Sequence, residues 1–579
     1  MTVQRKSLIS GALLAFAWVC PKVLFAGEAQ PVYAQHGMVV SVRDLASQAG
    51  VDVLKQGGNA VDAAVATGFA LAVVHPQAGN LGGGGFMLVR MADGKTHFVD
   101  FRETAPAAAT EKMYLDANGN IIPNASLIGY RSIGVPGSVA GLAYAEKHYG
   151  KLSLAKVMAP AIRLARDGYA LTYTESQDFK DPDLAKFPES RRIFQRDGNY
   201  YQQGEIFKQP ELAKTLERIA KNPDDFYHGE IAHQLAADMQ KGGGLITEKD
   251  LADYKVVERP PIDGTYRGYE IISAPPPSSG GTVMLEALNI LEPIDLGRMG
   301  ADSADSIHWV VEAFRRAYKD RADFMGDPDF VRVPVAQILD KKYAAEWRAS
   351  INPLLPTASA ELKRPDSGLN QLARPAAMLN LDRRESDETT HYSVVDEQGS
   401  AVAVTYTLND WFGSRVTAEG LGFLLNDEMD DFTSKPGEPN TYGLIQGEAN
   451  AIAPHKRPLS SMAPTIVLKN GKLFLVLGSP GGSRIISTVT NFILNVVDYG
   501  MNIQEAVDAP RFHHQWMPDE IRMERLGISP DTEKLLENRG YKLNLTDPWS
   551  DGECIMVDQK TGELAGASDA RNGGKAVGY

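Results

Sequence analysis

The segment Thr389-Thr390-His391-Tyr392-Ser393-Val394-Val395 is followed by Asp396-Glu397-Gln398-Gly399-Ser400 and then by Ala401-Val402-Ala403-Val404-Thr405-Tyr406-Thr407. Tyr392–Val395 and Ala401–Thr407 are rich in β-branched and aromatic residues. The polar, glycine-bearing stretch between them reads as a turn, so the whole is a β-hairpin. A turn centred on Gln398 sets Thr389 opposite Thr407. Opposed hairpin residues lie about 4.5–5.5 Å apart at Cβ, close enough for two hydroxyls to hydrogen-bond. Taken alone, such a pair either stabilises a surface hairpin or holds one threonine beside another for chemistry.

Upstream, Asn352–Glu388 carries Pro353, Pro356, Pro365 and Pro375 among charged residues without a period, and reads as an exposed, mobile connector. Further upstream, Leu212, Leu216 and Ile219 recur as on an amphipathic helix that begins at Pro210. Ser303–Tyr318 is a second helix with Ser303 as its cap, and Gly137–Tyr169 is a helix pair broken at Gly150. Downstream, Thr465–Lys469 and Lys472–Gly478 flank Asn470-Gly471, the strongest short hairpin signal. That hairpin runs through Ser479-Pro480-Gly481-Gly482 into a stretch where Ile486, Val489, Ile493 and Val496 keep a helical period. Gly481 and Gly482 are therefore either a tight strand-to-helix turn or backbone donors at a helix N-terminus, where negative charge is favoured.

The chain has 579 residues, enough for two lobes or one large layered domain. Its net charge of −14 gives no sign of a nucleic-acid partner. Arg5 and Lys6 precede an apolar run from Leu8 to Cys20 and small residues around Ala26 and Ala29. The run has the length of an export-signal core and falls short of a membrane span. The mature chain is therefore expected in the periplasm or secreted, without a membrane span. Removal of Cys20 leaves Cys554 alone, so no internal disulfide forms. No metal is expected: His513 and His514 are adjacent and face different ways, and no His-Glu-x-x-His motif or cysteine pair is present.

The segment Thr389-Thr390-His391-Tyr392-Ser393-Val394-Val395-Asp396 resembles the processing site of the γ-glutamyltransferases. The resemblance continues through Gly79–Met87, Asp100-Phe101-Arg102-Glu103, Pro275–Gly281, Lys456–Met462 and Gly478–Arg484, in one consistent order over nearly the whole mature chain. It implies an N-terminal-nucleophile hydrolase with a four-layer αββα fold. It also implies a precursor: residues 1–26 as signal, 27–388 as large subunit and 389–579 as small catalytic subunit, the two subunits intertwined in one unit. Cleavage of Glu388-Thr389 exposes Thr389 as nucleophile.

Its free α-amino group, with an ordinary pKa of about 7.7–8.0, would be the base. By the same resemblance Thr407 positions that hydroxyl, and Gly481 and Gly482 form the oxyanion hole. Arg102, Ser460 and Ser461 hold the donor's α-carboxylate, and Asn409, Glu428 and Asp431 its α-ammonium. Tyr442 shields the site from a lid over Ser434–Gly443. Some relatives have glutamine in place of Glu428, and they vary where this chain has Asp410-Trp411, close to the expected acceptor side. The implied substrates are glutathione and other γ-glutamyl compounds, with water, an amino acid or a peptide as acceptor and no cofactor. A same-fold acylase for glutaryl amides is the competing reading, and the ammonium site is what separates the two.

Overall fold

The computed structural model describes residues 29–366, 368–371, 373, 389–571 and 573–579. The export segment with Cys20, most of the connector's second half and Glu388 lie outside the described residues. The expected hairpins form where local chemistry places them. Thr390–Val395 pairs with Ala401–Thr407, and Thr465–Lys469 pairs with Lys472–Leu477 across Asn470 and Gly471, both at positive φ. Two positive φ values in a two-residue loop match the right-handed twist of the flanking strands.

Each hairpin sits inside a seven-stranded sheet whose neighbours all run antiparallel. The first sheet runs Lys575–Gly578, Met38–Ser41, Thr390–Val395, Ala401–Thr407, Gly84–Arg90, Thr96–Asp100, Val257–Arg259. The second runs Val32–Ala34, Leu564–Ser568, Glu553–Val557, Lys472–Leu477, Thr465–Lys469, Tyr269–Ser273, Ile262–Tyr266.

Strand side chains alternate between faces, and the first sheet uses both. Tyr392, Val394, Val402, Val404 and Tyr406 pack with the helices Asp44–Lys55, Ala60–Val74, Ser138–Tyr149 and Leu154–Asp167. Met38, Val40, Phe86, Leu88 and Ala403 face the second sheet. The helices Gly280–Leu291, Ala304–Phe324, Lys341–Ala349 and Ile485–Val497 belong to the core on the second sheet's side. Helices, two sheets and helices make the four-layer αββα sandwich. Ala60–Val74 is buried along its whole length, as its apolar circumference requires. An Asn59–Asp62 capping box starts it. Among the described residues no helix is long and apolar enough to cross a membrane.

The connector departs from the sequence reading in its first half. Ser359, Leu362 and Leu369 are buried, and Arg364 sits in a 5% exposed position between Asp320 and Asp323, 2.6 Å from each. Proline and charge density read as exposure, but the paired arginine and the apolar residues between the charges dock this stretch on the helix Ala304–Phe324.

Candidate active site

Thr389 immediately precedes the strand Thr390–Val395 and is 8% exposed. The pairs from Thr390–Tyr406 to Val395–Ala401 hold the register expected from the turn, and one further step sets Thr389 opposite Thr407. Alternation puts Thr389 on the face of His391 and Ser393, between the sheets. The Ser393 hydroxyl donates to the Glu553 carbonyl of the second sheet at 2.7 Å. Thr390 lies on the opposite face.

Thr389 and Thr407 line one cleft of about 280 Å³ with Arg102, Asn409, Glu428, Asp431, Tyr442, Ser460, Ser461 and Gly482. The family resemblance implied a role for each of these. Thr407 Oγ1 accepts the Asn409 N–H at 2.9 Å, and Asn409 is at a positive φ of 81°. Tyr442, 3% exposed, donates its hydroxyl to Asn409 Oδ1 at 2.8 Å and to the Asn409 carbonyl at 2.9 Å, which ties the segment expected as a lid to the cleft wall.

Gly481 and Gly482 have φ of 123° and 55°; Gly481 precedes and Gly482 opens a short turn, Gly482–Arg484, into the helix Ile485–Val497. A Cβ at 481 would lie 2.0 Å from Ser550 Oγ, and one at 482 would lie 2.3 Å from the Tyr442 ring. Both positions therefore require glycine on two counts, backbone and space. The Ser460 carbonyl accepts from the Ser279 N–H at 2.8 Å and the Ser279 hydroxyl at 2.7 Å, while the Ser460 N–H donates to Pro277 at 2.9 Å. The proline-serine-glycine loop thus clamps the serine pair.

The charged residues expected at the two ends of a substrate lie together in the structure. Arg102 was assigned to the carboxylate end of a substrate and Glu428 and Asp431 to its ammonium end. In the structure its Nη1 pairs with Glu428 and its Nη2 with Asp431. Buried opposite charges compensate one another in this way. A zwitterionic amino-acid head carries the same two charges and can insert between them as a pair.

Burial opposes the Arg102 charge, and Glu428 and Asp431 outweigh it, so the guanidinium stays protonated. Burial pushes the Glu103 carboxyl, 3.8 Å from Arg102, up to about 7, and it also raises Glu428. The sequence quoted Glu103 within a motif but gave it no role. It likewise missed Leu444, Met462, Ser483 and Ile485, which complete the cleft wall. As apolar or small residues next to motif positions, they carried no chemical signal. Asp410 pairs with Arg415 at 2.8 Å and Trp411 packs edge-on to Phe412, so neither lines the cleft.

Against Gly478, at the end of the strand Lys472–Leu477, lies His391. It is fully buried, bonded to Thr405 Oγ1 at 2.8 Å and Ser393 Oγ at 3.1 Å, and burial lowers its pKa to about 3, so the ring is neutral. A Cβ on Gly478 would meet the ring at 2.3 Å. Gly478→Ala is therefore expected to destabilise the protein by about 1–3 kcal/mol, as overpacking does. A melting temperature equal to wild type would show that the ring can yield.

His513 and His514 do not share a ligand site. The first bonds Ser487 and Gln515 and the second Asp519, and among the described residues no His/Cys/Asp/Glu group is arranged to hold a metal. Cys554 is free and buried.

Residues 46–579 match the family model described as gamma-glutamyltranspeptidase. The chain is 51% identical over 579 residues to the glutathione hydrolase proenzyme of Escherichia coli (strain K12), covering 98% of this chain and 97% of that one. It is 50% identical over 594 residues to the glutathione hydrolase proenzyme of Pseudomonas sp. (strain A14), covering 100% of both. Among solved structures, cephalosporin acylase from Bacillus halodurans superposes with a TM-score of 0.82 at 29% identity, covering 97% of this chain and 99% of that one.

Proposed function

The chain belongs to the gamma-glutamyltranspeptidase family, and from that premise we propose that Thr389 is both its self-processing residue and its catalytic nucleophile. The protein is a γ-glutamyltransferase and glutathione hydrolase, made as a proenzyme that is processed into two fragments. The fragments assigned here are 27–388 and 389–579, from a cut at Glu388-Thr389. In the precursor the Thr389 hydroxyl attacks the Glu388 carbonyl, the amide nitrogen leaves as the new α-amine, and water opens the ester.

In the mature enzyme that amine takes the Thr389 proton as Oγ attacks the γ-carbonyl carbon of the donor. The N–H groups of Gly481 and Gly482 receive the oxyanion, and the leaving amine departs with the proton. Water, an amino acid or a peptide then attacks the γ-glutamyl-threonyl ester. The observation that carries this assignment is the meeting, in one cleft, of Thr389, the Gly482 turn and a guanidinium–carboxylate set that matches an amino-acid head. N-terminal sequencing of the small fragment, with a γ-glutamyl-anilide assay on the same sample, tests it. An active enzyme that stays full-length would overturn the assignment. The segment from Arg5 to Cys20 supports export to the periplasm or beyond.

The acylase reading is separated by Asp431. Glutamyl and glutaryl groups differ by one ammonium, which needs an anionic partner when buried. Asp431→Asn keeps shape and removes charge, at a cost of about 1.5–3 kcal/mol for a charged hydrogen bond. The γ-glutamyl anilide is thus expected to lose on the order of 10–150-fold in kcat/KM, while the glutaryl anilide loses less or gains. An equal fall for both substrates would make Asp431 a structural residue.

A further inference from the structure

Arg321 lies in the helix Ala304–Phe324 and is 2% exposed. Its Nε donates to Ser279 Oγ at 2.9 Å and its Nη2 to Ser461 Oγ at 3.1 Å, while its Nη1 has no hydrogen-bond partner. Its neighbours on the same helix are paired: Arg315 and Arg316 with Glu312, and Lys319 with Asp323. Arg321 makes no ion pair among the described residues. Burial lowers its pKa to about 10, so it remains a cation at neutral pH. An isolated buried charge is costly unless something of opposite sign compensates it.

The geometry says what the charge serves. Ser461 lines the cleft, and its oxygen accepts from Arg321, so its proton is presented to a further acceptor. Ser279 accepts from Arg321 and passes its own proton to the carbonyl of Ser460, the other serine of the pair. The positive charge of Arg102 is already met by Glu428 and Asp431. The guanidinium behind the serines holds no carboxylate in a direct ion pair among the described residues, and Asp431 acts on it only through space.

We propose that Arg321 is a positioning residue for the donor's α-carboxylate: through Ser461 and Ser279 it orients the hydroxyl donors, and its charge, held in no direct ion pair, makes the site select a carboxylate over a neutral amide. This rests on placing that carboxylate at Ser460 and Ser461.

The test compares kcat/KM for γ-glutamyl-p-nitroanilide with that for its α-carboxamide analogue in the full-length enzyme. Arg321→Gln is expected to process normally and to lower the carboxylate-to-carboxamide ratio roughly 10- to 100-fold. The loss should appear mainly in KM for the carboxylate substrate. Arg321→Lys keeps the charge but not the two-hydroxyl reach, and should give an intermediate ratio. Equal falls for the two substrates, or a wild-type ratio, overturn the proposal. If Arg321→Gln gives no soluble enzyme, Arg321→Lys decides on the same criterion. Ser461→Ala separates the premise from the inference. An unchanged ratio there removes the carboxylate from the serine pair and the proposal with it. A lowered ratio there beside a wild-type ratio in Arg321→Gln leaves the serines in place and removes Arg321 alone.

Discussion

Thr389→Ala is expected to accumulate as one uncut chain with no measurable γ-glutamyl transfer, because in the proposed mechanism a single hydroxyl serves both maturation and turnover. No neighbour can replace it. Thr390 is next in sequence, but strand alternation turns its side chain toward the helices, where its hydroxyl is buried without a hydrogen-bond partner. Loss of a nucleophile of this class costs on the order of 10⁶-fold in kcat.

Thr389→Ser restores the hydroxyl without the methyl and should again cut and turn over. Because Thr389 precedes the strand, the alanine variant should melt as a folded protein. A denaturing gel and a γ-glutamyl-anilide assay on one preparation give the answer. Cleavage of Thr389→Ala at the same junction would assign processing to another group.

The hairpin that presents Thr389 was legible because turn chemistry and strand alternation are local: the polar turn around Gln398 and the β-rich flanks fix register without help from the rest of the fold. The same held for Asn470-Gly471 and for the glycine turn that follows. What was not legible is what long-range closure decides. Arg102 lies 326 residues from Glu428 and 329 from Asp431, and nothing in either segment announces that they pair.

The acidic run Asn426–Phe432, read without the family resemblance, is a solvated loop. In the fold it is buried, with two of its carboxylates held by Arg102. Arg321 was missed for a related reason. A lone arginine on a helix reads as a surface ion pair, and only the packing of that helix against the Ser279 and Ser461 loops makes it a buried charge without a carboxylate. The docked half of the connector misled in the opposite direction. Its composition is that of a linker, but Arg364 finds two carboxylates on a helix that the sequence does not connect to it.

Thr407→Ala is the second large effect, and it tests the register directly. The Thr407 hydroxyl accepts the Asn409 N–H, which leaves its own proton available to a further acceptor, and the hairpin register sets Thr389 opposite it. In the proposed mechanism Thr407 orients and polarises the Thr389 oxygen, but supplies neither the attacking atom nor the base. The variant is therefore expected to fold, to process slowly and to lose kcat within roughly the 10²–10⁴-fold range of a proton-transfer or positioning partner.

Asn409 would lose the acceptor for its N–H, and Tyr442 bonds to that same residue, so some of the loss should appear as a looser lid and a raised KM. Thr407→Ser keeps the hydroxyl and should recover most of both. Single-turnover rates of ester formation separate the two contributions, since a lid defect leaves the chemical step at saturation unchanged. Wild-type kinetics in Thr407→Ala would mean that the opposed threonine only pairs strands, and that Thr389 is oriented from the Gly481–Gly482 side of the cleft.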